Sequence, residues 1–241
     1  MPTDYPEDSI QAFVEPWWVK SDSKEIERGC LVRVLVPYPA QKPLILIPEG
    51  RGEDPTDHTT ARVRIEPFVP GQPPREAKLP VAGLPLRPGE SFLASRGKVR
   101  PCVVLSMGGT SIEKALRRGG SAWQSAGTLL VAPFYGADHD GSRGGWDAEL
   151  VKRIRRAEYP QYLLDRLPLT GSVESILRFD HIFPIGQDHA SFRLTGFCLS
   201  PEAMRLVDEW LVWLFEGQVR TNSDLAYLAQ SLRELADPAT P

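Results

Sequence analysis

The chain carries 23 prolines and 20 glycines among its 241 residues. Proline lacks an amide hydrogen and its ring fixes φ, so it interrupts both helix interiors and central sheet ladders. Punctuation this dense rules out a helix bundle and predicts short strands, turns and extended loops. Hydrophobic residues at 41% and charged residues at 24% are the balance of an ordinary folded domain, which excludes wholesale disorder. No stretch approaches the roughly 18 apolar residues of a membrane span. Met1 to Glu15 is acidic and contains proline, unlike a signal peptide, so a cytoplasmic protein with no membrane partner is expected. A net charge of −3 argues against holding nucleic acid through bulk positive charge, and leaves a local basic groove as the electrostatic route.

Cys30, Cys102 and Cys198 are widely spaced, with no CxxC pair and no histidine at zinc-finger distance. Buried reduced thiols in a reducing compartment are the reading. His58, His139, His181 and His189 are scattered and form no HExxH-type pattern, so neither a metal nor another cofactor is expected.

The run Gly29-Cys30-Leu31-Val32-Arg33-Val34-Leu35-Val36 reads as a strand, with Val32, Val34 and Val36 on one face. Before it lies a polar lead-in whose Trp17-Trp18 pair is expected to dock on the surface of the core. From Pro37 to Ser95 the chain is Pro-rich, with apolar islands at Leu44 to Ile47 and Ala61 to Phe68 that suit short edge strands. That block reads as an insertion over a core. Buried-strand runs follow at Arg100 to Ser106 and Thr128 to Pro133, with a short helix between them at Ser111 to Arg118. Gly136 to Gly145 is a polar loop. Trp146 to Ala157 has helical spacing, and its Lys152 to Arg156 charges read as a solvated face. Val173 to Phe183 and Phe192 to Leu199 return to strand. Ser200-Pro201 caps a helix carrying Met204, Val207, Trp210, Leu211 and Leu214. Asn222-Ser223-Asp224 opens a last helix with a Leu225, Leu228, Leu232, Leu235 stripe. Strands with short helical interruptions, then helices, make a mainly β chain with added helices (α+β) around a small antiparallel barrel.

Three segments in order resemble the MazF/PemK/Kid-like toxin family. Arg28 to Val34 is similar to the family's opening strand, where glycine precedes an apolar run. Gly97-Lys98-Val99-Arg100-Pro101 followed by Cys102 to Ser106 is similar to its G-x-x-R-P and hydrophobic strand, with Leu129 to Pro133 next. Gly171 to Asp180 resembles the strand carrying R-x-D, and Leu199 to Glu202 the start of the terminal helix. About 90 to 100 residues carry the resemblance. It implies an SH3-like barrel of the MazF/PemK type, metal-independent endoribonuclease activity on single-stranded RNA, a homodimer, and an antitoxin or neighbouring protein that blocks the groove. On that reading 1–241 is a single elaborated domain. It has an N-terminal extension (1–28), a barrel core (29–36 and 96–215), a Pro-rich insertion (37–95) and a C-terminal helix extension (216–241).

Metal-free RNA cleavage needs a base for the 2′-hydroxyl, an acid for the leaving 5′-oxygen and positive charge at the phosphorus. Arg178 and Asp180, two apart on an expected strand, project from one face. The resemblance assigns Asp180 as base and Arg178 as acid or charge stabiliser. Stabiliser suits a guanidinium better, because it holds its proton so tightly. His181 has the pKa of a proton shuttle but needs a bulge or strand end to reach that face. Arg100, Lys98 and Arg96 are candidate RNA-binding cations. Tyr135 stands where compact members place a phosphate-contacting Thr or Ser. The loop Ser91 to Arg96 lacks the family's acid or histidine. The competing readings are a surface ion pair for Arg178 and Asp180, and a barrel without catalysis that serves as a binding or scaffold module.

Overall fold

The computed structural model describes residues 5–39, 41–54, 56–57, 60–69, 71, 90–119, 125–137, 145–170, 174–188 and 190–236. The expected Gly136 to Gly145 loop, with His139 and Asp140, falls largely outside these residues, as do Gly171 to Val173 of the R-x-D segment. Among the described residues the chain is mainly antiparallel β with three α-helices. Its contacts divide it into two compact units, Met1–Leu35 with Val99–Pro241, and Val36–Lys98. No helix is long and apolar enough to cross a membrane.

The Val36–Lys98 unit contains β3 (Leu44–Arg51), β4 (Ala61–Pro67) and β5 (Phe92–Ala94), in the order β4-β3-β5. Both apolar islands are therefore strands, and their block has a three-stranded sheet of its own. The Leu44 to Ile47 island is not an edge strand as expected, because β3 lies between β4 and β5, and its irregularity at Pro48 and Gly50 is confined to the β3–β4 register; the Ala61 to Phe68 island is an edge strand as expected.

In the larger unit an eight-stranded sheet curls into a half-barrel. Its strands are β1 (Trp18–Lys20), β2 (Cys30–Pro37), β6 (Gly97–Ser106), β7 (Thr128–Gly136), β8 (Tyr162–Arg166), β9 (Glu174–Arg178), β10 (Phe183–Gly186) and β11 (Arg193–Leu199). The order is β1-β11-β2-β6-β7-β9-β8, with β10 also on β7. The four runs read as strands around the motifs are thus consecutive neighbours: β2, β6, β7, then β9 with β10. Gly29 opens β2 at φ +86°, a left-handed conformation that any side chain would strain. Its amide donates to the Val104 carbonyl and its carbonyl accepts from the Leu199 amide, so it joins three strands.

One face of the sheet packs against α2 (Pro201–Glu216) and α3 (Asp224–Ala236), with Leu31, Val103, Phe134, Leu163, Leu177, Val207 and Trp210 buried between. Ser200 caps α2 by accepting from the Ala203 amide, and Gly217 ends it at φ +76°. Within α3, Leu225 and Leu232 are buried and Ala229 fills the seam. Leu235, the last of the expected stripe, is 60% exposed. The other face of β8 and β9 is covered by α1 (Ala148–Arg155), through Val151, Ile154, Leu164 and Ile176. Asp147 caps α1 by accepting from the Glu149 and Leu150 amides. The charges on α1 are not all solvated: Arg155 is half-buried and pairs with Asp8 and Glu174, whereas Arg153 makes an exposed pair with Glu158.

Three expectations change. The Ser111 to Arg118 helix is a single 3-10 turn, Lys114–Arg117. Strand β8 lies between the expected Trp146 to Ala157 helix and the Val173 to Phe183 strand, where no strand was expected. The Trp17-Trp18 pair does not dock on the surface: Trp17 is 2% exposed, and both indole N–H groups donate to Asp165. Asp165 is itself fully buried and also accepts from the Tyr5 hydroxyl at 2.8 Å.

Candidate functional site

The single strand expected from Val173 to Phe183 is two strands on one partner. Phe134 opposes Leu177, whereas Val131 opposes Phe183. The register slips by three residues between these pairs, and the surplus is the 3-10 turn Phe179–His181. Strand alternation already sends Leu177 and Phe179 inward and Arg178 outward. Phe179 is 1% exposed and packs 6.2 Å from the Trp210 ring, while its amide donates to the Gln161 carbonyl. The buried phenyl pins the turn to the core. The tight turn then returns His181 to the side of Arg178. This is the strand-end geometry His181 needed; on a regular strand it would have pointed away.

A connected polar cluster results. Arg178 binds Asp180 through two parallel bonds, Nε to Oδ1 at 2.7 Å and Nη2 to Oδ2 at 2.6 Å. The same Nη2 lies 2.8 Å from His181 Nε2, and His181 Nδ1 lies 2.9 Å from the Tyr135 hydroxyl. A guanidinium only donates, so Nε2 accepts. The ring hydrogen of neutral His181 is therefore on Nδ1, and it donates to the Tyr135 oxygen. That leaves the hydroxyl hydrogen of Tyr135 free to donate elsewhere. Burial pushes the His181 pKa down, and Arg178 and Arg100 add to the effect against the pull of Asp180, so the neutral form fits this pattern. Burial also raises the Tyr135 hydroxyl, more than Arg100 and Arg178 lower it, and the phenol stays protonated. For Arg178 burial opposes the charge, but the bonds and charge of Asp180 overcome it and hold the guanidinium above its usual value.

Aromatic rings surround the cations. The Arg100 guanidinium sits 4.1 Å from the centre of the Tyr135 ring. Arg178 lies 4.9 Å from the Tyr162 ring and 5.9 Å from both Tyr135 and Trp146. Tyr162 is the direct cross-strand partner of Arg178, and Trp146 meets Tyr162 edge-on at 5.4 Å. The Trp146 amide donates to the Ala137 carbonyl, which ties the start of α1 to the end of β7. Sequence reasoning found Arg100, Tyr135, Arg178, Asp180 and His181, and the structure brings all five together. It missed Tyr162, and read Trp146 only as the start of a helix. The available signal was Tyr159-Pro-Gln-Tyr162 just after the helix, aromatic residues at a proline-marked strand start. Arg96 and Lys98 are exposed residues of the Val36–Lys98 unit, and the cluster is built from the other unit alone.

Chemically, the cluster offers two cations within reach of one anionic group, a carboxylate, a phenol donor and ring faces for stacking. Among the described residues no group of three or more His, Cys, Asp or Glu side chains is placed to hold a metal ion. Comparison of the chain with protein-family models, curated proteins and solved structures finds no match in any of the three.

Proposed function

We propose that this protein is a MazF/PemK-like endoribonuclease on an SH3-like barrel, cleaving single-stranded RNA without a metal through attack of the 2′-hydroxyl on phosphorus. The observation that carries the reading is the unbroken chain Asp180–Arg178–His181–Tyr135, with Arg100 stacked on the same tyrosine. The strand order β2, β6, β7, β9 supports it, because these are the strands that bear the resembling motifs.

In this reading Arg178 and Arg100 hold the non-bridging phosphate oxygens and neutralise the charge that builds on the phosphorane. A phosphate that draws the Arg178 fork toward itself releases an oxygen of Asp180, which takes the 2′-hydroxyl proton. Tyr135, kept protonated and aimed by His181, donates toward the leaving 5′-oxygen. His181 orients Tyr135 rather than shuttling a proton, because both of its ring nitrogens are engaged. Tyr162 and Trp146 offer ring faces to splayed bases.

The test is incubation with mixed single-stranded RNA in EDTA, beside Arg178→Ala and Asp180→Ala proteins, with the new ends mapped. Cleavage leaving 2′,3′-cyclic phosphate that both variants lose is the expected result. Equal cleavage by all three sinks this site. A second reading, a barrel that binds RNA without cutting it, is favoured by one observation: both Asp180 oxygens are already held by Arg178. It predicts RNA binding that Arg178→Ala loses, with no cleavage by any of the three.

A further inference from the structure

Cys30 and Cys198 are 168 residues apart in sequence and directly opposed across β2 and β11. Their sulfurs lie 2.6 Å apart, in direct contact, and both thiols are free. The ladder around them defines the kind of pair. The Leu199 amide donates to the Gly29 carbonyl at 2.9 Å, so Gly29 and Leu199 form the hydrogen-bonded position. Cys30 and Cys198, one step along, occupy the non-hydrogen-bonded position. There opposed Cα atoms approach to about 4.5 Å and the side chains face each other. That separation lies inside the range of about 4.4–6.8 Å spanned by disulfides. The sulfurs are therefore already held face to face by the ladder.

We propose that Cys30 and Cys198 are a modification site: a dithiol that small-molecule disulfides of the glutathione class convert to an internal disulfide, stapling β11 to β2. The two sulfurs differ in access. Cys30 is 3% exposed, whereas Cys198 is part-exposed and is the entry point. The Cys198 thiolate attacks one sulfur of the small disulfide and expels the first small thiol, which takes up the proton Cys198 gave. Cys30 sulfur, losing its own proton, then attacks Cys198 Sγ and expels the second. Two protein S–H bonds become one S–S bond, and one small disulfide becomes two thiols. Burial, together with the hydrogen bond and charge of Cys30, pushes the Cys198 thiol up to about 12, against the Ser21 hydroxyl; Glu27 adds to the rise. The first attack is therefore slow at neutral pH and quickens as pH rises, since the thiolate is the nucleophile.

The staple has a place in the architecture. β11 carries β1 on its other edge, with Val19 opposite Cys198, and passes through Ser200 directly into α2. Next to Cys30, Arg28 reaches across to Asp208 of α2 and donates to the Leu105 carbonyl at 2.7 Å. One covalent bond at this point fixes the first β-ribbon, the barrel wall and the last helical layer to one another. Cys102 lies on β6, is fully buried and takes no part.

The test uses the full chain, incubated with oxidised glutathione or with dithiothreitol. Thiols are counted, intact mass is measured, and peptides are mapped without reduction. Accessible and buried thiols together, titrated in denaturant, are expected to fall from three to one, with a mass loss of two hydrogens and a Cys30–Cys198 linked peptide. The oxidation rate should rise by about tenfold per pH unit between neutrality and pH 10. The oxidised form should melt several degrees above the reduced form. Cys30→Ser, whose reduced melting temperature serves as the folding check, should stop at a glutathione adduct on Cys198. Wild-type protein that keeps three thiols, stops at a glutathione adduct, or bridges through Cys102 overturns the proposal.

Discussion

Two carboxylates near the β8–β9 pair are treated in opposite ways. Asp165 points into the main core, fully buried, and accepts from three aromatic donors: the Tyr5 hydroxyl and the indoles of Trp17 and Trp18. Asp180 sits on an exposed turn, held by a cation that is itself ringed by aromatics. The first arrangement spends its polarity inside the fold, and burial pushes Asp165 up to about 6 despite its hydrogen bonds. The second leaves every charge where an incoming anion can compete for it. The difference separates a carboxylate that holds the chain together from one left within reach of solvent and its solutes.

The largest expected effect breaks the first of these. Asp165→Ala strands the two buried indole N–H groups, at about 1–3 kcal/mol each, while the Tyr5 hydroxyl keeps the Arg166 carbonyl, so a loss on the order of 3 kcal/mol or more is expected in denaturant unfolding. Asp180→Ala, on an accessible ion pair, should change stability by no more than about 1 kcal/mol. Comparable losses at the two positions would dissolve the contrast. Function should invert the order. Arg178→Ala is expected to lower RNA cleavage by roughly 10²–10³-fold, in line with removal of a preorganised charge donor. Asp165→Asn should leave the rate of the folded protein unchanged, as single-turnover assays on gel-labelled RNA would report.

Titration sharpens the same contrast. The folded Asp165 pKa is raised from 3.8 to about 6, so the native state binds the proton more tightly than the unfolded chain. Its contribution is fully present below pH 3.8 and is lost as pH rises to about 6. The loss is about 3 kcal/mol for a shift near two units. His181 runs the other way. Its pKa is lowered from 6.5, so its contribution is present above pH 6.5 and is lost as pH falls through the folded value. Unfolding free energies measured from pH 4 to pH 7 should show the two slopes opposing. Asp165→Asn should erase one of them, His181→Gln the other. The smallest effect is at Tyr135. Tyr135→Phe keeps the ring under Arg100 and removes the donor to the leaving oxygen, so a loss of about 10²-fold in cleavage with unchanged RNA affinity is expected.

Most of the sheet was legible because burial leaves a simple record. β2, β6 and β7 are apolar runs bounded by glycine or proline, and the cap of α2 is spelled out by Ser200-Pro201. β8 was not legible. Its five residues, Tyr-Leu-Leu-Asp-Arg, are covered on both faces, so no alternation marks them, and Pro160 and Pro168 crowd the ends. Nor does anything in Ser-Ile-Leu-Arg-Phe-Asp-His-Ile-Phe announce the turn at Phe179, since the inward pattern continues unbroken through it. The Trp17-Trp18 pair was misjudged for a related reason. A buried tryptophan needs an acceptor for its N–H, and the acceptor lies about 150 residues away on the strand that went unread. The site residues themselves were legible as residue types. Their connectivity was not, because it depends on the three-residue slip.

That slip has a consequence for how such a chain can change over time. β9 and β10 each have their own pairing with β7, so the registers on either side of Phe179–His181 are specified independently. Residues gained or lost between them need not propagate into the sheet. The turn is therefore a joint between two separately framed strands, anchored at Phe179, where a change in length stays local to the cluster it carries.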